Sequence, residues 1–466
     1  MNRKIICFTV LVCVAAAGAF AQMADGISFS MWGRGAFAPL VIFNDAVDAD
    51  GEILKDHRGN TYVGTGIRPG YGFEHELYFT GNYNNVGFEL GLAYDGEESP
   101  GATSARYWYN YLGAAIWVQP LGNEWLKVTG GTFNDTTLRG KIGEVNEAWE
   151  EFVLPGAGYK DEIFTSFGGE YQGVRPLGFM LSSVPMEGLF IGVRVNAPGL
   201  DVTTIHRAAY MYRYIQIGAG YEIPGIGHAR LQYMGGYIGN DNNRRLQKYI
   251  DDSDYNGPLD NLPRELLPRS RHGNPARVEG AFAFTAIDDL LVDVGVKMFF
   301  PVLSSGTLSF PSEDVEIDYH KSSRGFAVSA GAIYNFGDIG FTGRIDSTFG
   351  SYDRTSEDAK NYYNDDNYLT LDLRLVPTYN LGFATVGLDF GYAILRGNYI
   401  DVNGDPLDPS RAMSRWGIGG FIRRGFSNGH IKAGITYTSP IIFANDQKER
   451  MADKMIQIPI VMEYSF

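Results

Sequence analysis

The sequence predicts an all-β chain closed into a membrane-spanning, antiparallel, up-and-down β-barrel of about 18 strands, with 16 as the nearest alternative. Three observations carry that prediction. Apolar side chains recur at every second residue through segment after segment, and a period of two is the mark of a strand. The segments come in pairs, joined alternately by short turns and long polar stretches, as in a barrel with tight turns on one side of a bilayer and loops on the other. The chain also ends on a strand, 456–466, whose alternate residues Ile456, Ile458, Ile460, Met462, Tyr464 and Phe466 are all apolar. Ten or eleven residues are enough for a tilted strand to cross the hydrocarbon core.

Taken in order, the first strand is 27–37, with Ile27, Phe29 and Met31 on one face and Ser28, Ser30 and Arg34 on the other. A polar loop runs to about residue 68. Strands 71–80 and 86–95 flank the turn at 81–85. They set Phe73, Leu77, Phe79, Phe88, Leu90 and Leu92 against Glu74, Glu76 and Glu89. Further pairs are 105–118 with 124–133, 177–183 with 188–196, 210–222 with 228–238, and 276–286 with 290–300. The last are 325–336 with 339–349, 367–379 with 384–395, and 414–426 with 430–439. Their connections carry turn residues: Pro120 and Gly122, Pro185, Pro224 and Gly225, Asp288-Asp289, Gly337-Asp338, Gly382, and Asn428-Gly429. With the terminal strand the series is even, so both ends of the chain fall on the same side of the membrane.

Composition agrees. The 466 residues include 59 glycines and 14% aromatics, and nothing in the pattern divides the chain into domains. Residues 1–21 read as a secretory signal peptide: Arg3 and Lys4, an apolar run, then Ala19-Phe20-Ala21 before Gln22. After residue 22 no apolar run reaches the eighteen or so residues of a spanning helix, so 22–466 is expected to be one barrel domain. The formal charge is -15, and removing Arg3 and Lys4 leaves 37 basic against 54 acidic residues, 37 − 54 = −17. That balance argues against binding nucleic acid. Both cysteines, Cys7 and Cys13, lie within the signal, which excludes a disulfide framework or cysteine metal site from the processed chain.

The terminal strand, with Phe466 as its carboxy-terminal residue, resembles the last strand of bacterial outer-membrane β-barrels. The resemblance implies that Phe466, Tyr464 and Met462 form the signal read by the barrel-assembly machinery. It also implies a location in the outer membrane of a diderm bacterium, in contact with its lipid and with both termini in the periplasm. In its order of elements the chain is similar to general porins, whose third loop folds into the lumen and narrows it. The implied function is passive diffusion of small hydrophilic solutes. The implied constriction is the third long loop, 134–175, through Asp135, Arg139, Lys141, Glu144, Glu147, Glu150 and Glu151. A lumen wall is expected from Arg34, Glu74, Glu76, Glu89, Arg194, Asp293, Lys297, Arg344, Asp346, Asp372 and Arg374, which lie opposite the apolar faces. The alternative is a surface barrel acting as an adhesin or structural protein, with the loops 239–275 and 38–67 as binding elements. A homotrimer is left open.

Smaller signals complete the reading. Tyr210, Tyr212 and Tyr214 alternate, as an aromatic ladder inside a pore or a girdle at the membrane interface would. Trp117 and Trp125 flank a turn and fit a girdle. Asp401, Asn403 and Asp405 resemble the opening of a calcium loop, but Met413 stands where the closing glutamate would fall, so no metal and no cofactor is expected. The seven histidines are scattered, and no nucleophile or phosphate motif is present, so no enzyme activity is expected.

Overall fold

The computed structural model describes residues 27–47, 61–66, 73–97, 106–133, 138, 177–196, 215–235, 237–238, 273–274, 276–300, 304–310, 315–354, 367–396, 413–439, 441–443 and 450–466. The signal-peptide stretch lies outside them. The barrel strands are β1 Ile27–Val47, β2 Phe73–Tyr83, β3 Val86–Glu97, β4 Arg106–Val118, β5 Lys127–Thr132 and β6 Leu177–Met186. They continue as β7 Leu189–Asn196, β8 Ile215–Ile223, β9 Gly227–Met234, β10 Ala276–Ile287, β11 Leu290–Phe300 and β12 Val315–Phe336. The last six are β13 Ile339–Arg354, β14 Asn367–Asn380, β15 Thr385–Arg396, β16 Met413–Phe426, β17 Gly429–Ser439 and β18 Arg450–Ser465. The whole sheet has 21 strands; three of them, Thr61–Gly66, Ser304–Phe310 and Ile441–Phe443, only extend other strands, which leaves 21 − 3 = 18.

Each strand pairs antiparallel with the next, and β18 pairs with β1 from Trp32↔Ser465 to Val47↔Met451. The backbone of Phe466 completes the seam, its N–H donating to Met31 O at 2.9 Å. The barrel is therefore closed. Closure leaves no spanning strand with an unpaired edge, the condition for strands to sit in hydrocarbon. Following the registers once round displaces the chain by about 22 residues, a stagger that goes with strands tilted by about 40°.

The faces are inverted relative to a soluble protein. On β11, Val294, Val296 and Met298 are exposed, while Asp293 and Lys297 are buried. On β7, Ile191, Val193 and Val195 point out and Arg194 points in. On β18, Ile456, Met462 and Phe466 are exposed and Gln457 and Val461 are not. A continuous apolar outer surface of this kind is unfavourable in water, and it suits lipid.

At the seam the last strand is fastened across the first. The Tyr464 ring lies over Gly33, where a Cβ would come 2.5 Å from its Cζ and 2.7 Å from His75 Nδ1. The Tyr464 hydroxyl is hydrogen-bonded to His75 Nδ1 at 2.7 Å. Side chains of β18 and β2 thus meet over a glycine of β1.

Three expectations need correction. The polar loop expected from the end of strand 27–37 to about residue 68 is in part strand: β1 runs on to Val47 and pairs with Thr61–Gly66, from Ala38↔Gly66 to Asn44↔Thr61. Strand 325–336 belongs to a longer element that begins at Val315 and pairs with Ser304–Phe310. The extension itself alternates, Val315, Ile317 and Tyr319 against Glu316, Asp318 and His320, so the two-residue beat carried a sign of it that the sequence reading did not use. Trp117 is not a girdle residue. Its neighbours Ile116 and Val118 are the exposed ones, which turns Trp117 to the inner face. There it covers Gly87, where a Cβ would meet the indole at 2.3 Å, and Lys127 Nζ lies 4.9 Å from its ring centroid. Trp125 is exposed beside the turn, as expected.

Candidate functional site: the inner wall

Because alternate residues face inward, cross-strand register converts the sequence into rows around the inner wall. One row runs Thr129–Met180–Arg194–Gln216–Met234–Arg277 over β5 to β10, each residue paired with the next. The row two residues away runs Ser182–Gly192–Gly218–Gln232–Glu279–Lys297. The side chains of both rows are buried, Arg194, Gln216 and Glu279 at 0% exposure. A barrel of eighteen strands is wide enough to leave its inner wall wet.

Charges on the wall are held in short-range pairs. Arg277 Nε lies 2.9 Å from Glu279 Oε1, and Gln232 Nε2 donates to Glu279 Oε2 at 2.5 Å. Arg277 Nη2 also approaches Met234 Sδ at 3.3 Å. Further round, Arg344 pairs with Asp346 and Arg374 Nη1 lies 3.8 Å from Asp389 Oδ1. Register sets Arg344 beside Arg374 and Asp346 beside Asp372, so each like-charged neighbour is offset by an opposite charge two residues along. Lys432 is buried over the Phe421 ring, its Nζ 4.4 Å from the centroid. Among the described residues, neither the nitrogen nor the oxygen of the Gln216 amide has a hydrogen-bond partner.

Glu279 pairs with Arg277 and accepts from Gln232. Its replacement by Leu takes a buried carboxylate away from a buried guanidinium, and the expected loss is about 3 kcal/mol. Urea unfolding of the refolded barrel would measure it, with Glu279→Gln losing less because an acceptor oxygen remains.

Two residues that follow β5, Phe133 and Leu138, lie against this wall. Phe133 and Leu138 are buried, and they cluster with Ala115, Met180 and the partly buried Phe190, all on inward positions. Arg194 Nη1 donates to Phe133 O at 2.7 Å, and its guanidinium carbon stands 4.2 Å from the Phe133 ring centroid. Arg230 Nη1 donates to Leu138 O at 2.5 Å. Two glycines make the room. A Cβ on Gly178 would meet Arg194 Nε at 2.5 Å, and one on Gly220 would meet Leu138 Cδ2 at 2.9 Å.

Of the expected lumen-wall residues, Arg34, Glu76, Arg194, Asp293, Lys297, Arg344, Asp346, Asp372 and Arg374 lie at inward positions. Register puts Arg34 opposite both Glu74 and Glu463, and Glu76 accepts from the Tyr78 hydroxyl at 2.9 Å. Glu89 occupies an inward register position near the short-turn end, where it is exposed. Phe466, Tyr464 and Met462 share the outer face of β18, and Tyr464 and Phe466 stack at 5.7 Å. Asp135, Arg139, Lys141, Glu144, Glu147, Glu150 and Glu151 lie outside the described residues, as do Tyr210, Tyr212, Tyr214, Asp401, Asn403 and Asp405. Among the described residues no three His, Cys, Asp or Glu side chains gather as a metal site would need. Sequence reading missed Arg230, Gln216 and Gln232. The beat His228-Arg230-Gln232 against Ala229-Leu231-Tyr233 was the available signal for two of them.

No family model matches the chain, and no curated protein matches it. Solved structures do align with it. An outer-membrane protein OmpT of Vibrio cholerae, in trimer form, aligns at 11% identity over 95% of this chain and 100% of its own, with a TM-score of 0.38. The anion-selective porin of Comamonas acidovorans gives 11% identity, 94% and 100% coverage, and a TM-score of 0.44. The outer-membrane channel DcaP of Acinetobacter baumannii gives 10%, 95% and 98%, and 0.39. These are likenesses to other barrels. The class of this chain rests on its own closed ring of eighteen strands.

Proposed function

We propose that the chain is an outer-membrane channel of the porin type, allowing passive diffusion of small hydrophilic solutes, and not an enzyme. The observation that carries this reading is the inversion of faces. An apolar outer surface suits lipid, and charged pairs line the inside of a barrel of porin width. Phe133 and Leu138 lie against the inner wall, which narrows the pathway beside β5 to β9. The segment 134–175 supplies the constriction, with Asp135, Arg139, Lys141, Glu144, Glu147, Glu150 and Glu151 setting size and field for passing solutes. The barrel reaches the membrane after cleavage following Ala21, and Phe466, Tyr464 and Met462 present the strand that the assembly machinery reads. Assembly as a homotrimer is compatible with this reading. The adhesin reading drew on 239–275, which lies almost wholly outside the described residues, and on 38–67, whose described parts pair with one another as strands; no described feature supports it.

Planar-bilayer recording tests the proposal. Purified, refolded protein is expected to give discrete conductance steps, and removal of residues 141–172 to enlarge them. A barrel that is folded by heat-modifiability yet silent with and without that segment would overturn it.

A further inference from the structure

The two strands that close the ring are joined less regularly than their length suggests. Prolines stand inside the barrel strands at four positions, Pro39, Pro185, Pro377 and Pro459. Two of these belong to the seam, Pro39 on β1 and Pro459 on β18. A proline has no N–H to give to a ladder. At that level the register between β1 and β18 shifts, from Phe37↔Ile460 to Leu40↔Ile458. On the other flank of β18 the pairing with β17 passes from Ala433↔Ile460 to Thr436↔Gln457, with Pro459 in the gap. The seam is therefore two segments, and the one nearer the chain ends runs only from Trp32↔Ser465 to Phe37↔Ile460.

That short segment is braced by side chains. Tyr464 on β18, Gly33 on β1 and His75 on β2 are consecutive register partners. The tyrosine ring crosses the strand between, over Gly33, and its hydroxyl is hydrogen-bonded to His75 Nδ1 at 2.7 Å. The two ring centroids are 5.9 Å apart. Phe466 stacks on Tyr464 at 5.7 Å, and its N–H donates to Met31 O at 2.9 Å. Tyr464 lies on the outer face of the barrel, and register puts His75 there too. In lipid no water replaces the bond between them when the strands part.

We propose that Tyr464 and His75, closing over Gly33, form a staple across three strands that limits the rate at which the ring opens. The staple offsets the backbone bonds that Pro39 and Pro459 leave out of the seam. Its partners are 389 residues apart in sequence, and they meet only when β18 reaches β1. Such a contact forms at the end of closure. It therefore slows opening and has little effect on closing. The staple belongs to the closed ring whether or not that ring conducts.

Unfolding and refolding rates of the full chain in lipid vesicles, read by tryptophan fluorescence after urea jumps, test the staple. Tyr464→Phe keeps the ring over Gly33 and removes the hydroxyl, and His75→Leu removes the other partner. Each is expected to speed unfolding about tenfold, the worth of one hydrogen bond. Refolding rates should change by less than about twofold. The double variant should unfold no faster than either single one, because both remove the same contact. Tyr334→Phe, on the exposed outer face of β12, is the control and is expected to leave both rates unchanged. A second arm ties the short segment in the chain with Cys7→Ser and Cys13→Ser. A disulfide between Phe37→Cys and Ile460→Cys, which are register partners, is expected to slow opening and to abolish the effect of Tyr464→Phe. Tyr464→Phe unfolding no faster than Tyr334→Phe, or effects that add in the double variant, would overturn the staple. So would an oxidised seam in which Tyr464→Phe still speeds opening, since the ring would then part elsewhere. Slower refolding with unchanged unfolding would mean that the contact forms before closure, and the proposal would fall.

Discussion

Replacing Val294 by Arg is expected to cost about 2–4 kcal/mol of barrel stability and to cut the yield of membrane-inserted protein sharply. Val294 sits midway along β11, five residues from the turn Asp288-Asp289, and it is 45% exposed on the outer face. A guanidinium there has no protein partner in reach and must be carried into hydrocarbon. Its sequence neighbour Asp293 faces inward and is buried. Asp293→Asn exchanges one inward polar group for another of the same shape and is expected to cost less than Val294→Arg, because no charge is carried into hydrocarbon. Urea unfolding in lipid vesicles measures both. Equal losses, or a tolerated Val294→Arg, would mean that the outer belt is not the lipid-facing surface.

The second large effect lies in the backbone. Gly227 opens β9 with φ at +154°, and a Cβ there would stand 1.8 Å from Ala283 O on β10. No side-chain rearrangement relieves a clash with main chain. Gly227→Ala must pull β9 away from β10 at the turn, where Gly227 pairs with Phe284. The expected loss is about 3 kcal/mol, at the upper end for a residue in a rarely adopted conformation. Gly225, two residues earlier, provides the control. Its φ is +70°, and a Cβ would meet nothing within 4 Å, so Gly225→Ala carries only the left-handed penalty of about 1 kcal/mol. Unfolding midpoints that ranked the two the other way would show that the β9–β10 register differs from the one described.

The strands were readable from sequence because burial here depends on a single variable, the side of the wall. Strands 86–95, 290–300, 339–349 and 414–426 were all placed at or within two residues of one observed end, and the count of eighteen held over sixteen. The turns at Asp288-Asp289 and Gly337-Asp338 were placed correctly, because two-residue reversals need residues that tolerate positive φ. Asp289 and Gly337 adopt it, at 61° and 58°. At the loop ends β1 and β12 run past their expected bounds: in β1 the continuous apolar run Leu40-Val41-Ile42-Phe43 hides the two-residue beat, while in β12 the beat of Val315, Ile317 and Tyr319 persists beyond the expected start. The inner wall was readable only as a set of inward charges. Which of them meet is decided by register, and register depends on turn lengths that the two-residue beat does not encode. Arg194 was recognised as an inward charge, but its contact with Phe133 O joins positions 61 residues apart through three strands. The role of Gly178 and Gly220 could not be inferred, since a glycine that makes room looks like any other in a chain with 59 of them.

The seam has a consequence for how the molecule comes to exist. Its two sides, Ile27–Val47 and Arg450–Ser465, are separated by nearly the whole chain, and no native-like barrel exists until they find one another. Closing so long a span has a high entropic barrier, and it comes after the local hairpins have formed. Until then the nascent sheet has two raw borders that neither water-starved lipid nor a crowded aqueous compartment tolerates. Spontaneous assembly should therefore be slow and prone to clumping. Once the ring is shut, opening it requires breaking a complete ladder at once, so the finished barrel persists because it is slow to come apart.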